Sequence, residues 1–149
     1  MKFTVTFLAA LAFSSPTFFA DEPVAPVEQL PRLVAIEPAD AVATFRLKKG
    51  FRIELAASEP EVVDPVSMAF DANGRLYVVE MIGYSEHRDD KLGRVRLLED
   101  TNGDGRYDKA TVYAKGLAWP TAVICHAGGV FVVVTPDLLF FRDTDNDGV

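Results

Sequence analysis

Residues 64–80 read DPVSMAFDANGRLYVVE, and residues 119–134 read WPTAVICHAGGVFVVV. Each stretch sets a proline before a short apolar run, then a glycine-containing turn, then a run rich in β-branched and aromatic residues. Such runs fit a pleated, half-buried surface. Asn73-Gly74 supplies the positive φ that ties two runs into a hairpin. In the second copy Gly128-Gly129 takes its place. Pro65 aligns with Pro120, an offset of 55.

A second pair of landmarks follows at another spacing. Residues 97–111 read LLEDTNGDGRYDKAT and residues 138–148 read LLFFRDTDNDG, so that Asp100 aligns with Asp143 at an offset of 43. The shorter offset places about 12 extra residues in the first unit, in MIGYSEHRDDKLG at 81–93. Strands are expected on either side of each acidic loop, and FRIELA from Phe51 alternates apolar with polar as a further strand over 51–57. Four short strands per unit, repeated at such spacing, predict blades of a β-propeller. The competing architecture is a pair of hairpins in a β-sandwich. The ordered recurrence of proline, glycine turn and acidic loop favours blades. The expected fold class is all-β. A first blade covers 65–116 and an incomplete second covers 120–149, within a partial propeller domain at 46–149.

The N-terminal part reads differently. Lys2 followed by the apolar run Phe3–Phe13 predicts a secretory signal over 1–20, cleaved after Ala20. The run is short for a span, and Pro16 interrupts it. Residues 21–45 form a leader with four prolines between Asp21 and Pro38, in which Asp40 is expected to N-cap a helical turn through Phe45. The chain is therefore expected to be exported, to a periplasm or a cell surface.

Composition narrows the chemistry. The formal net charge of -7 argues against a nucleic-acid partner, which needs a Lys/Arg footprint, and suits a cation. The lone Cys125 forms no intrachain disulfide and no Cys-based zinc site. Cys125-His126 lacks the first cysteine of C-x-x-C-H, so this chain attaches no haem. There is no G-x-S-x-G, no phosphate loop and no metal-binding His pair.

The segments GFRIELAASEPEVVDPVSMAFDANGRLYVVEMIGY and GRVRLLEDTNGDGRYDKATVYAKGL resemble the N-terminal propeller of the membrane-bound dehydrogenase family of planctomycete type. The resemblance covers roughly 44–149, through A-S-E-P, F-D-x-x-G-R-L-Y-V-V-E-M and L-L-E-D-T-x-G-D-G. It implies a six-bladed propeller similar to the quinoprotein glucose/sorbosone dehydrogenases, of which this chain would hold the first two blades. It also implies oxidation of a sugar or other alcohol with pyrroloquinoline quinone in the longer parent, whose missing C-terminal blades would complete the ring, and a cytochrome c as electron acceptor. The fragment alone is then expected to be inactive. The alternative is a non-catalytic, calcium-stabilised propeller that binds carbohydrate or protein.

Two sets of residues are candidates. The acidic loops place Asp100, Asn102, Asp104 and Asp108, then Asp143, Asp145 and Asp147, in the opening order of a calcium loop. Thr111 occupies the position of the bidentate Glu, and strands flank the loop, so it is no EF-hand. Such loops also form turns without metal, through side-chain to backbone bonds. The 81–93 insertion and its preceding residue offer Glu80 as an acid/base, Tyr84 as a hydrogen-bonding ring, His87 as a proton shuttle and Arg88 as a carboxylate-binding fork. A solvated surface loop is the plain alternative. His126 is expected at a turn, and Arg75 in surface contacts.

Overall fold

In a computed structural model the described residues are 34–145, 147 and 148. The signal and most of the leader lie outside them. Residues 36–149 make one compact unit. Among the described residues no helix is long and apolar enough to cross a membrane.

The chain enters through α1 (Pro38–Ala41), which runs into a 3-10 turn at Val42–Thr44. Glu37 is the N-cap and makes no side-chain cap, while Pro38 opens the helix. Asp40, expected as the cap, lies inside the first turn. Proline at the first position carries a preset φ and lacks an N–H that would be orphaned there anyway.

Among the described residues seven strands follow: β1 (Pro65–Phe70), β2 (Leu76–Glu80), β3 (Gly93–Glu99), β4 (Lys109–Leu117), β5 (Ala122–His126), β6 (Gly129–Val134) and β7 (Asp137–Phe141). They form two antiparallel meanders, β1-β2-β3-β4 and β5-β6-β7, and neither closes into a barrel. The expected strand at 51–57 is not formed; those residues pair with no strand. They belong to a connector that crosses the face of the first sheet instead of extending its edge. Ala57 and Val62 pack onto Leu76, Val78 and Leu98. Tyr107 N–H donates to the Ala56 carbonyl at 2.8 Å. Alternation gives the period of a segment, but not whether an edge is open to receive it.

Side chains alternate across the first sheet, as strand geometry demands. Tyr77, Val79, Val95 and Leu97 point to one face, here the front; Leu76, Val78 and Glu80 point to the back. The front packs against Val123, Val130, Val132, Leu139 and Phe141 of the second sheet. Tyr77 and Tyr113 meet edge-on at 5.0 Å within this core. Burial pushes the Tyr77 hydroxyl up to about 12. Each fully buried aliphatic side chain here contributes roughly 1.5–3 kcal/mol relative to exposure. Tyr113 also joins the sheets by hydrogen bonds: its hydroxyl accepts from Asp143 N–H at 3.1 Å and donates to the Phe141 carbonyl.

The two hairpin turns differ by one residue. Phe70 pairs with Leu76, and Asp71 N–H closes on the Arg75 carbonyl around Ala72-Asn73-Gly74. His126 pairs with Gly129 around Ala127-Gly128 alone. Gly74 and Gly128 are the matching left-handed positions, at φ 80° and 76°. Gly74 therefore matches Gly128, and Gly129 is already strand; the sequence alignment on Gly128-Gly129 is corrected by one. A slip of one residue exchanges faces. With it corrected, Val130 and Val132 stand where Leu76 and Val78 stand, on the back of the second sheet.

The sheets consequently stack back onto front. The second sheet's own front bears Ile124, Phe131, Leu138 and Phe140 where the first bears Ala69, Tyr77, Val95 and Leu97. Ile124, Leu138 and Phe140 remain 62%, 65% and 45% exposed. On the back of the first sheet Met68 and Phe70 are exposed as well. A head-to-tail stack leaves one open face at each end.

Candidate functional site

In a meander, alternate connections fall at opposite ends. The β1–β2 turn, the β5–β6 turn and the loop between β3 and β4 share one end. The loop between β2 and β3, the crossover from β4 to β5 and the β6–β7 turn share the other. The two sets of candidates are thus separated by the length of the strands.

The acidic end is built from turns that satisfy themselves. Asp100 accepts from Gly103 N–H at 2.7 Å and Gly105 N–H at 2.9 Å. Asn102 accepts from Asp104 N–H, and Asp104 from Arg106 N–H. Asp108 accepts from both the N–H and the hydroxyl of Thr101. The bond from Gly105, chiefly, holds Asp100 below the usual carboxylate range, and that from Thr101 does so for Asp108. The second loop gathers its charges more closely: one carboxylate oxygen each from Asp143, Asp145 and Asp147 lies within 4.8 Å of the others. Asp143 also accepts from Asp145 N–H and Gly148 N–H. Three oxygens this close could serve a hard cation, although Asp143, like Asp100, already accepts from two backbone N–H groups.

Arg75 at the same end holds Asp71 through an Nε to carboxylate bond of 2.7 Å and lies 5.9 Å from the Tyr77 ring. Burial alone would raise the Asp71 pKa, but the bonds from Arg75 and Asn73 outweigh it and lower it. His126 sits here, beside Phe131, away from the 81–93 loop. Desolvation raises the Cys125 thiol pKa, which makes it less nucleophilic.

At the other end the four insertion candidates separate. Glu80 lies in β2, fully buried on the back face. It accepts from Val63 N–H at 2.7 Å and from Arg94 Nε, with Arg96 Nε at 3.7 Å. Arg96 also donates to the Glu61 and Pro60 carbonyls. Glu80 is thus a clamp that fixes the connector to the sheet, with both oxygens engaged and no path to a substrate. His87 is exposed and bonded to Asp90 at 3.0 Å.

Tyr84 and Arg88 do meet, on Trp119, which is not among the candidates above. The Tyr84 ring packs edge-on to Trp119 at 5.1 Å, and the Arg88 guanidinium lies 5.9 Å from the Trp119 ring. Arg88 Nη2 donates to the Thr135 carbonyl of the β6–β7 turn at 3.2 Å. Together they line a cavity of about 260 Å³ that draws on both sheets. Trp119 has a left-handed φ of 52°, and its buried indole N–H finds no acceptor among the described residues. The signal that could have found it is plain: a lone tryptophan before a proline, where one repeat unit passes to the next.

Among known proteins, the family model of a domain of unknown function, DUF7133, matches residues 37–149. No curated protein and no solved structure matches the chain.

Proposed function

This chain belongs to the DUF7133 family, and we propose that its two sheets are successive blades of a β-propeller in an exported protein that binds sugars and oxidises a sugar or other alcohol. The observation that carries the propeller is the back-onto-front stack. A sandwich of two hairpin units joined by a two-fold would set like faces together; rotation about a propeller axis sets back on front and leaves an open face at each end for the next blade. The adjacency of β1 and β5, with Ser67 Oγ accepting from Val123 N–H at 3.4 Å, supports innermost strands of neighbouring blades.

The oxidoreductase part rests on the sequence resemblance. Pyrroloquinoline quinone carries several carboxylates and needs several cations. The cavity at Trp119 offers one, Arg88, and about 260 Å³. These residues do not fit that group; the quinone site and the general base would lie in other blades, and a cytochrome c would take the electrons. A calcium ion at Asp143, Asp145 and Asp147 would offset their mutual repulsion and pin the end of the second blade.

A second reading, a non-catalytic scaffold for carbohydrate or protein, is favoured by one observation. Of the side chains lining the cavity, none is a carboxylate or histidine that could take a proton.

One preparation tests both. The longer parent protein, loaded with the quinone and given a panel of sugars and alcohols, should reduce a redox dye, while the 149-residue chain alone should not. Folded parent protein that turns over nothing on the panel leaves the scaffold. In the same samples calcium should raise the thermal midpoint, and Asp145→Ala should remove the gain; a midpoint indifferent to calcium discards the metal.

A further inference from the structure

We infer that the cavity between Tyr84, Arg88 and Trp119 is a subsite for one acidic sugar unit, whose anionic group is taken by Arg88 and whose apolar ring face rests on the aromatic pair. This deepens the sugar-binding part of the reading above and is independent of its redox part.

Three features point to a ligand. Among the described residues Arg88 is the one charged residue lining the cavity, and no described carboxylate forms an ion pair with it. Two of its three acidic neighbours are engaged elsewhere: Glu86 bonds the Ser85 hydroxyl and N–H, and Asp90 bonds His87; the third, Asp89, is exposed and does not line the cavity. Arg88 is held in place by the Thr135 carbonyl through Nη2 alone, which leaves other donors of its planar fork for a carboxylate or a sulfate ester.

The second feature is the aromatic pair. Tyr84 is 68% exposed, a high value for a ring already in contact with another. A tyrosine and a tryptophan at 63° make a corner with apolar walls; Met81 and Ala118 extend the apolar lining, while Thr121 and Thr135 add two hydroxyl-bearing residues. Such a corner suits the C–H face of a pyranose, and its volume suits a single ring.

The third is the cost at Trp119. A left-handed φ on a non-glycine residue and a buried N–H without an acceptor among the described residues are both unfavourable; backbone strain of this kind clusters at functional sites, and an orphaned N–H is a donor a ligand could satisfy. The site is also composite: the β2–β3 loop supplies Tyr84 and Arg88, the crossover supplies Trp119, and the β6–β7 turn supplies Thr135. It exists only because the 81–93 insertion reaches across to the second sheet.

Trp119 is the only tryptophan in the chain, so its emission reports on this cavity directly. Titration of the 149-residue chain with glucuronate, glucose 6-sulfate and glucose should give a saturable change with at least one of the two acidic sugars. Their order would tell a carboxylate ligand from a sulfate ester. The indole N–H resonance of Trp119 gives a second readout if emission is silent. Arg88→Gln should weaken the acidic sugar about tenfold or more, the worth of a charge-assisted bond, and leave glucose unchanged. Tyr84→Ala should weaken all of them. If neither readout moves with any sugar, there is no subsite. If glucose binds as well as the acidic sugars and Arg88→Gln changes nothing, the acidic assignment is wrong.

Discussion

Glu80→Gln is expected to lower the stability of the chain by about 3 kcal/mol, at the lower end of what breaking a buried ion pair costs. The carboxylate is fully buried, while Arg94 and Arg96 keep 27% and 14% of their side chains exposed. Water can therefore recover part of what the guanidiniums lose, and Arg96 keeps its two carbonyl acceptors, which is why the lower end applies. Glutamine retains the shape and one carbonyl oxygen, but its NH2 must face Val63 N–H or Arg94 Nε, so the loss reports charge and one lost acceptor and not volume. Urea unfolding followed by circular dichroism checks it. The connector at 51–63 should also lose protection first in hydrogen exchange, because the Val63 N–H bond anchors it to the sheet. A variant as stable as the parent would mean that Glu80 is not the clamp described, and would return it to the candidates for chemistry.

Gly93→Ala is expected to cost about 3 kcal/mol, the upper part of the usual range for overpacking. Gly93 opens β3 where the strand irregularly passes Leu117. A Cβ there would run into the Pro120 ring and come to 2.7 Å from the Leu117 carbonyl oxygen. Pro120 is fully buried and cannot yield, since it starts the second repeat unit. The exposed neighbour Leu92 is the control: Leu92→Ala should fall within about 0.5 kcal/mol of the parent. Equal effects of the two substitutions would show that the junction between the sheets is loose.

These two residues illustrate what the chain's letters can and cannot convey. The hairpins, the acidic loops and the insertion were legible because periodicity and glycine turns are local. The one-residue difference between the Asp71–Arg75 and Ala127-Gly128 turns was not, since glycine pairs align equally well in either register until φ is known. In sequence Glu80 reads as part of a polar loop, because Arg94 and Arg96, fourteen and sixteen positions on, become its partners only through β2–β3 pairing. The same pairing decides that residues 51–57 cross a face. Tyr84 and Arg88 were legible as a polar group with binding capacity. That they act on Trp119 depends on the crossover, which no local pattern encodes.

If the second sheet turns its back to the front of the first, nuclear Overhauser contacts of the Tyr77 and Tyr113 rings show it most directly. They should reach the side chains of Val132, Leu139 and Phe141. Contacts from those rings to Ile124, Leu138 and Phe140 in their place would mean that like faces meet, as in a sandwich, and would contradict the blade stack.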